Sequence, residues 1–265
     1  MSTPLFSPIA LFVTLLFLLS VFILWTSHTG IGYKLLYLLV FALYMNETIM
    51  VLINEAEPAN NILAELVPDA FILTLTVMLA ALYDDITLKT RKRFFWSAGI
   101  LLFLLVGFVL DVPPLTFIYS LTLGVFIVYA AYYSSIWLYQ APDLIRFALA
   151  FLFPAALFFI NPSHTSLMYT GLLVGLSFGF QMEHLKLRIK IPKNWTRRVV
   201  VLLIGFPVAI LLLWLSGMSS GNPLLALLFS TLTGLWITWF GPALFVKLHL
   251  YDCAHGRSLP FKHSY

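Results

Sequence analysis

Apolar residues run along this chain in long, nearly unbroken stretches, and polar residues gather in short gaps between them. Crossing a bilayer as a helix takes roughly 20 apolar residues. Nine stretches qualify, near 5–26, 33–53, 66–83, 94–110, 114–138, 144–160, 165–182, 199–217 and 223–248. The fourth and sixth, at about 17 residues, sit at the lower limit for a span. None alternates strictly between apolar and polar, so the pattern predicts helices rather than barrel strands. The gaps are too short for a second domain. The chain therefore reads as an all-α, polytopic transmembrane helix bundle of about nine spans, a single membrane domain over 1–265. The first stretch has no basic leader and no small-residue cleavage site, and reads as a retained helix.

Composition agrees: 61% of residues are hydrophobic and only 10% charged. The charges then orient the bundle. With an odd number of spans, all 15 Lys and Arg residues fall on one face. Basic loops stay cytoplasmic, so the amino terminus is expected outside and the carboxyl terminus inside a plasma (inner) membrane. The net charge of +4 reads as inner-leaflet anchoring against membrane lipids. No basic and aromatic platform suggests a nucleic-acid partner. The single Cys253 excludes an intramolecular disulfide. The six His residues lack metal-ligand spacing, and no metal or other cofactor is expected.

The opposite face reads as acidic. It carries Glu55, Glu57, Glu65, Asp69 and Asp111, with Asn54, Asn60, Asn61, Asn161 and His164, and no Lys or Arg. Glu47 lies inside the second apolar stretch, where an ionisable group needs a partner or a water-filled cavity. Asn54 follows two helical turns later on the same face. Glu47, Asn54, Asp69, Asp111 and His164 are therefore the candidate ligand-binding residues, forming an outward pocket suited to a proton or a cationic head group. Asn161–Pro162–Ser163–His164 reads as a turn. Gly171, Gly175 and Gly179 form a stripe for close helix packing. Glu183 and His184 are expected at the cytoplasmic interface, paired with Lys186 or Arg188. Pro154, Pro207 and Pro242 are expected to kink their helices, and Trp236 and Trp239 to anchor at the interface.

From 144 to 250 the chain resembles the carboxyl-terminal helices of long bacterial membrane proteins of the type 2 phosphatidic acid phosphatase (PAP2) superfamily. The resemblance rests on Gly171, Gly175, Gly179 and Glu183 before a basic segment. It extends to Gly234, Leu235, Trp236, Thr238, Pro242, Leu244, Phe245 and Lys247 in the last helix. It divides the chain into divergent helices over 1–143, PAP2-like helices over 144–250 and a cytoplasmic tail over 251–265. It also implies three catalytic motifs: a Lys with Arg-Pro seven residues on, Pro-Ser-Gly-His, and Ser-Arg with a following His and Asp. This sequence contains no Arg-Pro, and Pro162–Ser163–His164 lacks the Gly and comes late. No catalytic residue is carried over.

The leading expectation is a degenerate PAP2-like membrane protein that binds or moves a lipid or lipid-linked ligand without catalysis. The first alternative is an active lipid-phosphate phosphatase. The second is a proton- or cation-coupled transporter using the outward acids.

Overall fold

The computed structural model describes residues 8–56, 67–84, 112–192 and 194–253, together with Ser97, Gly99, Ile100 and Phe103. Most of the fourth apolar stretch, the outer-face residues 57–65, Asp111, the basic run 89–93 and the tail beyond Cys253 lie outside the described residues.

Eight helices account for most of the described chain. They are α1 (Pro8–Thr26), α2 (Thr29–Ala56), α3 (Ala70–Asp84), α4 (Pro114–Gln140), α5 (Asp143–Ile160), α6 (His164–Met182), α7 (Trp195–Met218) and α8 (Pro223–Lys247). Five of these (α2, α4, α5, α7 and α8) are long and apolar enough to cross a membrane. The apolar parts of α1 (Leu11–Thr26) and α3 (Ala70–Tyr83) are shorter. The only β-structure among the described residues is an antiparallel pair, β1 (Ile189–Lys190) with β2 (Asp252–Cys253).

Local chemistry sets the helix starts. Pro114 and Pro223 occupy first-turn positions, where the missing N–H costs nothing. Ser163, Asn194 and Asn222 accept hydrogen bonds from the first-turn N–H groups of α6, α7 and α8. Pro154 and Pro207 lie inside α5 and α7. In α8 the helix widens to a π-turn over Trp236–Phe240, just before Pro242.

Large apolar side chains point outward, among them Leu15, Phe126, Phe159, Leu203 and Leu224. The exterior is therefore apolar, as helices require when lipid is the solvent. The interior is held by close backbone approach. A Cβ on Gly175 would lie 2.2 Å from the Thr231 carbonyl oxygen, and one on Gly234 only 2.6 Å from the Leu176 nitrogen. Gly171 and Gly179 are equally closed by Ser230 and Thr238. The predicted glycine stripe is thus the α6 face that packs on α8.

The hub near one end is Trp25, fully buried. The π-turn directs the Gly241 N–H to the Trp236 carbonyl, and Pro242 has no N–H to offer. That leaves the Ile237 carbonyl open, and Trp25 Nε1 donates to it at 2.9 Å. The Trp25 carbonyl in turn accepts from the Tyr251 hydroxyl at 2.5 Å. Gly205 of α7 packs directly on the indole. Trp236 is not simply an interface anchor: its Nε1 donates to the Gly205 carbonyl of α7 at 3.2 Å.

Candidate functional site

The contacts sort the helix ends into two groups. At one end Lys34 Nζ donates to the Ala81 carbonyl at 3.4 Å, Tyr33 stacks on Phe180, and Phe147 meets Phe178 edge-on. At the other end Tyr44 donates to the Leu157 carbonyl, the Asp69 N–H donates to Ser120 Oγ, and His164 Nε2 lies 3.4 Å from the Ser219 carbonyl. The first end gathers every described cation: Lys34, Arg146, Lys186, Arg188, Lys190, Arg197, Arg198 and Lys247. Arg146 pairs with Asp143 at 3.4 Å. At the opposite end the described residues carry no Lys or Arg.

The candidate residues fall as follows. Glu47 sits on α2, partly buried, with the neutral Tyr169 phenol of α6 in its neighbourhood. Asp69 precedes α3, and its Oδ1 accepts from the Ile72 N–H at 2.9 Å, a helix-capping role. His164 opens α6 and faces the end of α7 through the Ser219 carbonyl. Asn54 lies in the last turn of α2, its side chain outside the described set, and Asp111 is wholly outside it. Glu47, Asp69 and His164 thus share one end of the bundle, each with different neighbours. Among the described residues no hydrogen bond joins them.

Sequence reasoning missed a set of buried polar groups at this end of the bundle. Asn161 is 4% exposed, and its Nδ2 donates to Thr48 Oγ1 at 3.4 Å. Ser166 (0% exposed) and Thr170 (3%) stand one turn apart on α6. Their hydroxyl oxygens have no hydrogen-bond partner among the described residues. The signal was present in the spacing Ser166, Thr170, Ser177, a polar stripe on a helix whose glycines lie on the other side.

Glu183 corrects an expectation. Its carboxylate turns inward rather than pairing with Lys186 or Arg188. Oε1 accepts from the Ile189 N–H at 3.1 Å, beside a small cavity lined by Leu24, Thr29, Phe180, Thr238 and Pro242. Burial raises its pKa, partly opposed by that hydrogen bond and by His184. The fold achieves this with a π-turn over Glu183–Leu187 and a left-handed Arg188 at φ 44°.

With the geometry in place, the comparisons add one finding. Residues 167–253 match the family model of the transmembrane extension of PAP2 superfamily phosphatases. The match covers the glycine face of α6, α7, α8 and the β1–β2 pair, and so bears out the resemblance over those residues. No curated protein matches the chain, and no solved structure does.

Proposed function

We infer that this chain is a non-catalytic membrane bundle related to the PAP2 superfamily, which binds or translocates a lipid or lipid-linked ligand. The observation that carries the reading is the segregation of charge. Every described cation sits at one end, and the other presents carboxylate, amide and hydroxyl groups. Phosphoryl transfer needs cations or many oriented donors around the phosphate. A carboxylate at 4 Å from a phosphate charge costs about 4 kcal/mol at an effective dielectric near 20. That is roughly a thousandfold in binding.

The same polarity supports nine crossings, with the amino terminus outside and the basic end in the cytoplasm of a plasma membrane. The start of α3 meets α4 near its own start, through Asp69 and Ser120, so α3 and α4 run in the same direction. Asp84 and Pro114 therefore lie at opposite ends of the bundle, which supports an odd number of crossings between them.

The test is to incubate the purified chain with phosphatidic acid and isoprenoid pyrophosphates, and in parallel to record co-purifying lipids by native mass spectrometry. The expected outcome is retained lipid with no phosphate release. Robust phosphate release that disappears on His164→Ala would reject the reading.

A further inference from the structure

The seam between α2 and α6 is built as a ladder. Tyr33 stacks on Phe180 with ring centroids 3.9 Å apart, and a hydrogen bond joins Tyr37 to Ser177. The helices are antiparallel, so each further rung steps three or four residues along both. Continued at that step, the register sets Val40 level with Leu173, Tyr44 level with Thr170 and Glu47 level with Ser166. Val40 and Leu173 are both buried, as that register requires. At the far end one hydrogen bond agrees with this register: Asn161, three residues before α6, reaches Thr48 of α2.

The top two rungs are unusual for their hydroxyls. Several other buried helical Ser and Thr side chains return to the carbonyl four residues back, as Ser20, Thr76, Ser120, Ser230, Thr233 and Thr238 do, and Ser216 reaches the Ala226 carbonyl. Ser166 and Thr170 do not, although both are buried. Ser166 lies in the first turn, with Pro162 four residues before it. Thr170 has the Ser166 carbonyl within helical reach and leaves it. Both belong to the stripe that continues to Ser177, the residue bonded to α2, so they face the seam that holds Glu47.

The geometry points to a binding site for a small monovalent cation, of the sodium class, formed by the Glu47 carboxylate with the Ser166 and Thr170 hydroxyl oxygens. The donors are hard oxygens without thiolate or imidazole among them, which excludes a transition-metal preference. One carboxylate balances one positive charge, whereas calcium sites carry more carboxylates and more ligands. Among the described residues no Lys or Arg lies near: Lys34, on the same helix, is about 20 Å away at 1.5 Å per residue. Two buried hydroxyls within one turn of a packed seam match the size of an ion rather than of a lipid head group. This site stands apart from the lipid reading, because it uses the interior of the seam and not the outer surface.

The test uses the full chain in nanodiscs of zwitterionic lipid. Thermal unfolding is followed in sodium chloride and in N-methylglucamine chloride at equal ionic strength, at fixed pH. Sodium is expected to raise the Tm saturably, by about 3 °C or more once the site is filled. The organic cation is expected to leave it unchanged. Glu47→Gln should abolish the sodium increment. Ser166→Ala and Thr170→Val, which keep the fold's packing, should each weaken the apparent sodium affinity roughly tenfold. They carry the test if the glutamine variant does not fold. Equal Tm in both salts overturns the site, as does a sodium increment that survives in the variants. So does a Tm that responds to acidification and not to sodium. The lipid measurement is run at constant sodium, so either proposal can fail without the other.

Discussion

The two faces of α6 do opposite work. One carries Gly171, Gly175 and Gly179 and meets α8 so closely that backbone touches backbone. The other carries Ser166, Thr170 and Ser177 and meets α2 across tyrosines and a glutamate. The glycine face and its partner α8 lie within the segment that matches the PAP2 transmembrane extension. Glu47, Asn161 and Ser166 lie outside it. The matched segment thus holds the glycine packing face together with Thr170 and Ser177 of the polar stripe, while Glu47, Asn161 and Ser166 are supplied from outside it. Close packing leaves no room for a ligand on the first face. On the second, the Ser166 and Thr170 hydroxyl oxygens are buried without a hydrogen-bond partner among the described residues.

The largest effect that can break this comparison is on the glycine face. Gly175→Leu would force α6 and α8 apart, because the atom it meets is a backbone oxygen that no rotamer change can move. A loss of about 3 kcal/mol is expected in reversible unfolding in detergent. Gly217→Ala is the matched control. Nothing lies within 4 Å of its added methyl, so it should change stability by less than about 0.5 kcal/mol. Equal effects at the two positions would remove the claim that α6 and α8 are held by glycine contact.

How much of this was legible depends on the range of the interaction. The glycine stripe could be read because it repeats every four residues within one helix. The polarity of charge could be read because it follows from counting spans. Asp69 could have been read as a cap, since an Asp directly before an apolar run marks a helix start. The charge pattern alone groups it instead with the acidic residues of one face. The Trp25 to Ile237 bond was out of reach: it joins residues 212 apart, and its acceptor is open only because of the π-turn and Pro242. Glu183 was hidden for a similar reason. Its inward turn depends on a left-handed Arg188, a conformation that nothing in the local sequence demands.

A middle-sized effect sharpens the second face. Tyr37→Phe removes the hydroxyl from the rung with Ser177 and keeps the ring that packs near Tyr33. The expected loss is about 1 kcal/mol, and no more, because Ser177 can turn back to the carbonyl four residues earlier in its own helix. The same unfolding assay measures it. A cost as large as that of Gly175→Leu would mean that both faces of α6 depend on close fit, and the contrast would be lost.

The smallest effect lies where the glycine face ends, at Glu183. Its carboxyl is buried and its pKa is raised, so the folded state holds a proton more readily than the unfolded chain does. Stability from this group is complete below the ordinary carboxylate pKa. It is lost as pH rises through the raised value, because the folded state must then carry a buried negative charge. Stability should therefore fall modestly over that window and level off above it. Glu183→Gln keeps an oxygen that can accept from the Ile189 N–H and has no proton to lose. In that variant the slope should vanish, while stability at neutral pH stays equal to or slightly above that of the parent. Measured as unfolding midpoint against pH, a slope that persists in the glutamine variant would assign the titration to another group. The carboxylate at the end of the packed face would then be fully solvated, as the opposite, polar face would lead one to expect of any acid on this helix.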